Sequence, residues 1–283
     1  MPAFRTLLVL GRVSNLPTVW SNCLAGWWLG GADNFTNLPF LFAGLTLLYV
    51  GGMYLNDAFD ADFDRRHRRE RPIPSGAISR SLVWRCGFGL LLLGNALLFA
   101  INLTAGALGA VLALNILLYD AVHKAVPLSP LLMGACRLWV YVIAAAAGAR
   151  GVNGWAVWCG LALALYVVGL SFVARVESTR GPVKYWPLLL LAAPIGLAFL
   201  MNTGAYREPA LLLSLMLTFW LLRSLRPLLW SSPPNIGRTV SGLLAGIVFV
   251  DWIAVAHTPR EWSLVFLGLF FAALLGQRYV PAT

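Results

Sequence analysis

Ten apolar stretches, each about 20 residues long and so able to cross the hydrocarbon core of a bilayer as a helix, follow one another along this chain and leave room for little else. They cover residues 8–30, 38–58, 83–101, 103–121, 130–149, 154–173, 186–202, 209–225, 239–256 and 262–279. Charged residues make up only 11% of the 283, whereas a soluble domain carries about a quarter. A water-facing globule cannot be wetted with so few charges, so lipid is the main solvent. The pattern predicts an all-α, polytopic transmembrane bundle of nine to ten helices, forming a single domain over 1–283. The first stretch keeps Arg12 and Asn15 and lacks a small-residue cleavage site, so it reads as a retained membrane helix rather than a leader. Cys23, Cys86, Cys136 and Cys159 fall one apiece in separate apolar stretches and read as small core residues.

The basic residues test this span count. With a cytoplasmic N-terminus, cytoplasmic loops and the helix ends beside them should collect Lys and Arg. They do so at Arg5 and Arg12, through Arg65–Arg85, at Lys124 and Arg137, at Arg175, Arg180 and Lys184, at Arg223, Arg226 and Arg238, and at Arg278. Of the 21 Lys and Arg, only Arg150, Arg207 and Arg260 fall on the other side. A missed or invented span would scramble this asymmetry. The expected topology places both termini and the functional loops in the cytoplasm, in a bacterial inner membrane. It also accounts for the net charge of +10, which in a soluble chain would suggest nucleic acid; no nucleic-acid partner is expected.

Acids are scarce, eleven in all, yet Asp57, Asp60, Asp62 and Asp64 lie within eight residues. On a helix that continues the second span, Asn56, Asp60 and Asp64 stack at i, i+4, i+8, with Asp57 beside them and Asp62 pointing away. Carboxylates this close repel unless a cation offsets their charge. Clustered oxygens suit Mg²⁺, which takes one or two carboxylates together with phosphate oxygens and water. The following Arg65, Arg66, Arg68, Arg69 and Arg71 have the donor geometry for diphosphate. A solvated helix end with surface ion pairs is the other reading of the same residues. A calcium loop is excluded, because Arg65 stands where glycine is required and Arg71 where an acid is required. The run Arg71-Pro72-Ile73-Pro74-Ser75-Gly76 must leave the helix, and such a turn is able to close a polar pocket.

Asn56-Asp57-x-x-Asp60-x-x-x-Asp64, followed by Arg71-Pro-Ile-Pro-Ser-Gly-Ala-Ile-Ser79, resembles the first signature of the UbiA superfamily of intramembrane prenyltransferases. The proline-rich run is most similar to the chlorophyll synthase branch. Arg12-Val13-Ser14-Asn15-Leu16-Pro17 and the span order extend the resemblance over most of the chain. Where the family has a second aspartate pair, this chain reads Arg175-Val-Glu177-Ser-Thr-Arg180-Gly-Pro-Val-Lys184, with one acid among three bases. In this it looks like a divergent bacterial branch, EboC-like; a tenth span is also one more than the usual nine.

The resemblance implies a bundle around a central cavity and Mg²⁺-dependent transfer of a prenyl group from an allylic diphosphate to a hydrophobic or aromatic acceptor. It implies Asp57, Asp60 and Asp64, oriented by Asn56, as metal ligands, and Glu177 as ligand to a second ion. Arg71, Lys124, Arg175, Arg180 and Lys184 would contact diphosphate, with Tyr119 nearby. Asn15, polar within the first span, is expected to face the pocket or another helix. Asp251, inside the ninth span, is expected to touch the acceptor or pair with a neighbouring helix. Two rival classes predict something else. A transporter predicts acids near the midplane and internal repeats; a prenyl-diphosphate-binding or lipid-handling protein predicts the same site without turnover.

Overall fold

A computed structural model describes residues 4–33, 35–179, 185–201, 207–232 and 234–280. The described residues form helices α1 (Phe4–Leu10), α2 (Leu16–Leu29), α3 (Leu38–His67), α4 (Arg80–Ile101), α5 (Leu103–Val122), α6 (Ser129–Ala146), α7 (Gly154–Thr179), α8 (Ala193–Met201), α9 (Arg207–Leu229), α10 (Ile236–Ala254) and α11 (Arg260–Tyr279). Eight helices, α3–α7 and α9–α11, are long and apolar enough to cross a membrane. Large exposed apolar side chains such as Leu92, Leu114 and Phe219 cover their outer faces, as expected where lipid is the solvent.

Local sequence explains most boundaries. Pro17, Pro39 and Pro130 stand in the first turn of α2, α3 and α6, where a missing N–H costs nothing. Asn102 turns α4 into α5 on a single residue, its Oδ1 accepting from Ala105 N at 2.7 Å and its Nδ2 donating to Ala146 O at 2.9 Å. Two of the ten anticipated spans are not single α-helices. The first breaks after α1 at Gly11–Arg12, where Arg12 adopts the left-handed conformation (φ 42, ψ 47), a strain of about 1–3 kcal/mol for a residue with a side chain. The seventh begins as a 3₁₀ helix over Trp186–Ala192 and becomes α8 only at Ala193. Pro187 and Pro194 cannot donate to the preceding turn, so an α-helical register is not maintained across them.

α3 packs along α4, α6 along α7, and α9 along α10, while α2 runs through the middle and touches α3, α6, α7, α10 and α11. One apolar core joins α2 and α6 to α7–α11; a second joins α2 to α3–α6. α2 and α6 approach on glycine: a Cβ on Gly26 would stand 2.7 Å from the Tyr141 carbonyl oxygen and 2.8 Å from Ala144 Cβ. Gly26→Val is therefore expected to destabilise the bundle by about 1–3 kcal/mol through overpacking, read as a lower melting temperature in detergent.

The 30 residues of α3 span about 45 Å, longer than the roughly 30 Å hydrocarbon core. Its last turns, which carry the acidic cluster, consequently emerge at the polar boundary of the bundle.

Candidate functional site

At that end of the bundle, a cavity of about 340 Å³ opens between α3, α5, α6, α7, α10 and the turn that precedes α2. Among the described residues, its wall carries the cationic groups Arg12, Arg68, Arg71, Lys124, Arg137 and Arg175, and a single carboxylate, Asp60. Asn15, Tyr49, Asn56, Phe63, Tyr119 and the thioethers of Met53 and Met133 also line it.

The other acids lie just behind this wall. Asn56, Asp57, Asp64 and Asp120 are each at most 5% exposed. Asp60 accepts from Lys124 Nζ at 2.7 Å and faces His123 Nε2 at 3.4 Å. Lys124 also lies 3.7 Å above the Phe63 ring, and Tyr119 stacks on His123 with centroids 5.0 Å apart. Asp57 pairs with Arg12 at 3.3 Å and Arg71 at 3.5 Å. Burial, and after it the neighbouring Arg12, lowers the proton affinity of Arg71 below that of an ordinary arginine, with Asp57 opposing the shift. Asn56 bridges two partners, accepting from Arg12 at 3.3 Å and donating to Asp120 at 3.0 Å. Asp62 points outward to Arg65 and Arg80.

The break in the first span now has a role. It carries Arg12 off the helix axis and onto the end of α3, and irregular backbone at membrane depth is tolerated where it borders such a cavity. Arg175 serves the site indirectly. It donates to the His123 and Val126 carbonyls and to Ser129 Oγ at 2.8–2.9 Å, which fixes the loop bearing Lys124.

The side chains of the expected stripe have different protein partners. Asp57 lies three residues before Asp60, about 60° around the helix from it, whereas Asn56 and Asp64 are each about 40° away. That offset commits Asp57 to Arg12 and Arg71, and Asn56 to Asp120. Among the described residues, no three His, Cys, Asp or Glu side chains converge closely enough to hold a metal by themselves. The donor set nonetheless fits a hard divalent cation shared with a ligand. The side chain of Asp64, a residue 3% exposed, makes no hydrogen bond or ion pair among the described residues, and Asp120 Oδ2 is buried without a partner. Buried carboxylate oxygens in that state are short of positive charge. One or two carboxylates, completed by phosphate oxygens and water, is the arrangement Mg²⁺ accepts. The Glu177 side chain, Arg180 and Lys184 lie outside the described residues.

Deeper in the membrane, Asp251 of α10 is fully buried and accepts from Ser21, from Asn22 Nδ2 at 2.6 Å and from Tyr141 at 2.7 Å. Arg137 of α6 donates to Asn22 Oδ1 at 2.6 Å and Thr18 Oγ1 at 3.0 Å. Asn22 thus relays between a buried cation and a buried acid, and Arg137 lines the cavity while Asp251 does not. Of the two expectations for Asp251, pairing between helices is what the structure has.

Sequence reasoning missed Asp120, Arg12, His123 and Arg137 as site residues. Asp120 and Arg137 carried a usable signal, since ionisable residues inside spans rarely face lipid. Arg12, inside the first predicted span, carried the same signal, whereas the contacts of His123 depend on tertiary packing and left no such mark.

A helical bundle with a cationic cavity at one membrane boundary, backed by buried carboxylates, defines a class of intramembrane sites for anionic, lipid-tailed substrates. The UbiA prenyltransferase family model matches residues 14–232, and the chain belongs to that family. It is similar to the digeranylgeranylglyceryl phosphate synthase of Methanosarcina mazei, 29% identical over 248 residues covering 83% of this chain and 81% of the relative. A shorter match, 35% identical over 71 residues (24% of this chain and 23% of the relative), links it to the protoheme IX farnesyltransferase of Staphylococcus saprophyticus. Two solved structures share the fold. The apo UbiA homolog of Aeropyrum pernix K1 superposes with a TM-score of 0.69 at 17% identity, covering 88% of this chain and 98% of that one. A digeranylgeranylglyceryl phosphate synthase superposes with a TM-score of 0.61 at 22% identity, covering 97% and 100%. The chain is a multi-pass membrane protein and a transferase of prenyl groups, which sets aside the transporter reading.

Proposed function

We propose that this enzyme binds an allylic prenyl diphosphate with its head at the cavity mouth and its tail in the cavity, and transfers the prenyl group to an acceptor seated beside Arg137. The observation that carries this reading is the division of charge: six cationic side chains line the cavity among the described residues, while the unpartnered Oδ2 of Asp120 and the unpaired side chain of Asp64 stand behind it. Arg68, Arg71 and Lys124 are placed to neutralise diphosphate oxygens, and guanidinium groups do so in bidentate fashion. Asp60 and Asp64 would hold Mg²⁺, with Asp120 behind them through Asn56; when bound, the ion supplies charge stabilisation to the departing diphosphate.

The residues of the chain do the rest. The C1–O bond breaks with both electrons passing to the diphosphate, whose developing charge Arg71 and Lys124 offset. Tyr49 and Tyr119 line the cavity where an allylic cation would form, a charge that aromatic rings stabilise, and the apolar wall excludes the water that would quench it. The nucleophilic atom of the acceptor then bonds to C1 and gives up its proton. Arg137 favours an acceptor with an acidic group. Both an aromatic acid and a phosphate-bearing lipid alcohol of the kind the archaeal relatives are named for meet that condition. The concentration of Lys and Arg at this end of the bundle favours a mouth facing the cytoplasm of a bacterial inner membrane.

The test uses the full chain in lipid nanodiscs with prenyl diphosphates of increasing tail length. Diphosphate release falls to background when EDTA removes the metal and returns with Mg²⁺; release that is unchanged by EDTA overturns the metal assignment. Arg137→Gln raises the acceptor KM about tenfold, in line with loss of a charge-assisted hydrogen bond, and leaves the KM for prenyl diphosphate unchanged. Equal effects on both KM values would place the acceptor elsewhere.

A further inference from the structure

A second basic cavity, of about 730 Å³, lies across α10 from the first. Val240 of α10 faces the catalytic cavity, whereas its neighbours Ser241 and Gly242 border the second one. Arg223 and Arg226 reach it from the end of α9, Arg238 from the first turn of α10, and Arg278 from the last turn of α11. Among the described residues no acid lines it, and the four guanidinium groups, all on exposed side chains, make no ion pair or side-chain hydrogen bond, Arg223 alone lying over the Trp220 ring at 5.8 Å.

Two further donors in the same wall are orphaned. Ser224 is 5% exposed, and its Oγ is buried with no hydrogen-bond partner; Gln277 Nε2 is likewise buried and unpartnered. The Gly242 backbone packs against that hydroxyl, since a Cβ there would stand 2.6 Å from Ser224 Oγ, so a rotation of the serine side chain is what brings the hydroxyl to a ligand. An excess of Lys and Arg on cytoplasmic loops explains why arginines occur at this end. It does not explain why four from three helices converge on one acid-free cavity, nor why a buried hydroxyl and a buried amide in its wall lack acceptors, a state that costs free energy unless a ligand supplies them.

We propose that this cavity is an anion site for a phosphate or diphosphate group, separate from the catalytic cavity and independent of the substrate assignment above. Four planar donor forks with a hydroxyl and an amide suit a ligand offering several charged oxygens. Basic pockets between transmembrane helices at the inner leaflet also suit the phosphates of anionic lipids. The two sources of this chemistry, a phospholipid headgroup and free phosphate or diphosphate, are separable by experiment.

The full chain is placed in phosphatidylcholine nanodiscs, alone or with cardiolipin, and bound lipid and bound anion are measured by native mass spectrometry and calorimetry. Wild type is compared with Arg238→Gln/Arg278→Gln and with Ser224→Val, both outside the catalytic cavity. The expected result is binding about tenfold or more weaker in the arginine variant, as charge-assisted hydrogen bonds are lost, and weaker in Ser224→Val, with prenyl transfer in pure phosphatidylcholine unchanged. Retention of cardiolipin by wild type but not by the variants, without competition from inorganic phosphate, identifies a lipid headgroup. Saturable binding of inorganic phosphate or pyrophosphate without cardiolipin, lost in the variants, identifies the free anion. Should Arg238→Gln/Arg278→Gln not fold, Ser224→Val decides alone. Wild type and folded variants binding both ligands equally overturns the proposal.

Discussion

Asp64→Asn abolishes most prenyl transfer, lowering kcat by about two to three orders of magnitude, while leaving the protein at least as stable as before. The two outcomes come apart because of where Asp64 sits. It is 3% exposed and its side chain makes no hydrogen bond or ion pair among the described residues, so the free protein holds a buried carboxylate that little offsets. Replacing it by a neutral amide of the same shape removes an unfavourable burial term and, with it, the charge that would hold the metal. Asp60→Asn lowers kcat by a similar factor but also releases Lys124 and His123 from their shared partner, and its melting temperature falls. Steady-state kinetics with thermal melts of both variants check this. If Asp64→Asn lost stability and activity together, the acid would be a structural element of α3 and not a ligand held in readiness.

Asp251→Ala is expected to destabilise the protein by about 3–5 kcal/mol, the usual cost of removing one member of a buried charged network. For a chain of this size that corresponds to a melting temperature lower by roughly 10 °C. One carboxylate accepts from Ser21, Asn22 and Tyr141, and through Asn22 it faces Arg137. Its loss leaves three donors and a cation buried between α2, α6 and α10, at the junction of the two apolar cores. Arg137→Met/Asp251→Leu should recover only the part of that loss due to the stranded cation, because Ser21, Asn22 and Tyr141 still lack the acceptor they had in Asp251. It should not recover acceptor binding. A double-mutant cycle on melting temperature measures the coupling; simple additivity would mean that Asn22 relays nothing.

The sequence carried much of this architecture because lipid imposes simple rules. Span length anticipated each of the eight helices long and apolar enough to cross a membrane among the described residues, and helical periodicity brought Asp60 and Asp64 to one side of α3 with Asp62 on the other. The departures arise where tertiary packing overrides local pattern. The first span breaks because Arg12 is drawn to Asn56 and Asp57, 44 and 45 residues away in sequence, a pull that hydropathy does not register. Asp57 pairs with the same Arg12 and with Arg71, contacts that helical periodicity does not register. Asp120 escaped notice between Tyr119 and Lys124, both singled out by resemblance, although an acid inside an apolar span is the stronger physical signal. Arg137 was counted as loop charge when it lies eight residues into α6, about 12 Å along the helix.

The account rests on the cavity between α3, α5 and α7 as the seat of the diphosphate. The most direct test is a structure of the full chain with Mg²⁺ and a prenyl thiodiphosphate that resists ionisation. The expected result is a diphosphate among Asp60, Arg71 and Lys124, with density for a metal against Asp60 or Asp64 and the isoprenoid tail running past Met53 and Met133. A headgroup bound outside that cavity, with Lys124 still paired to Asp60 and no metal at α3, would contradict it.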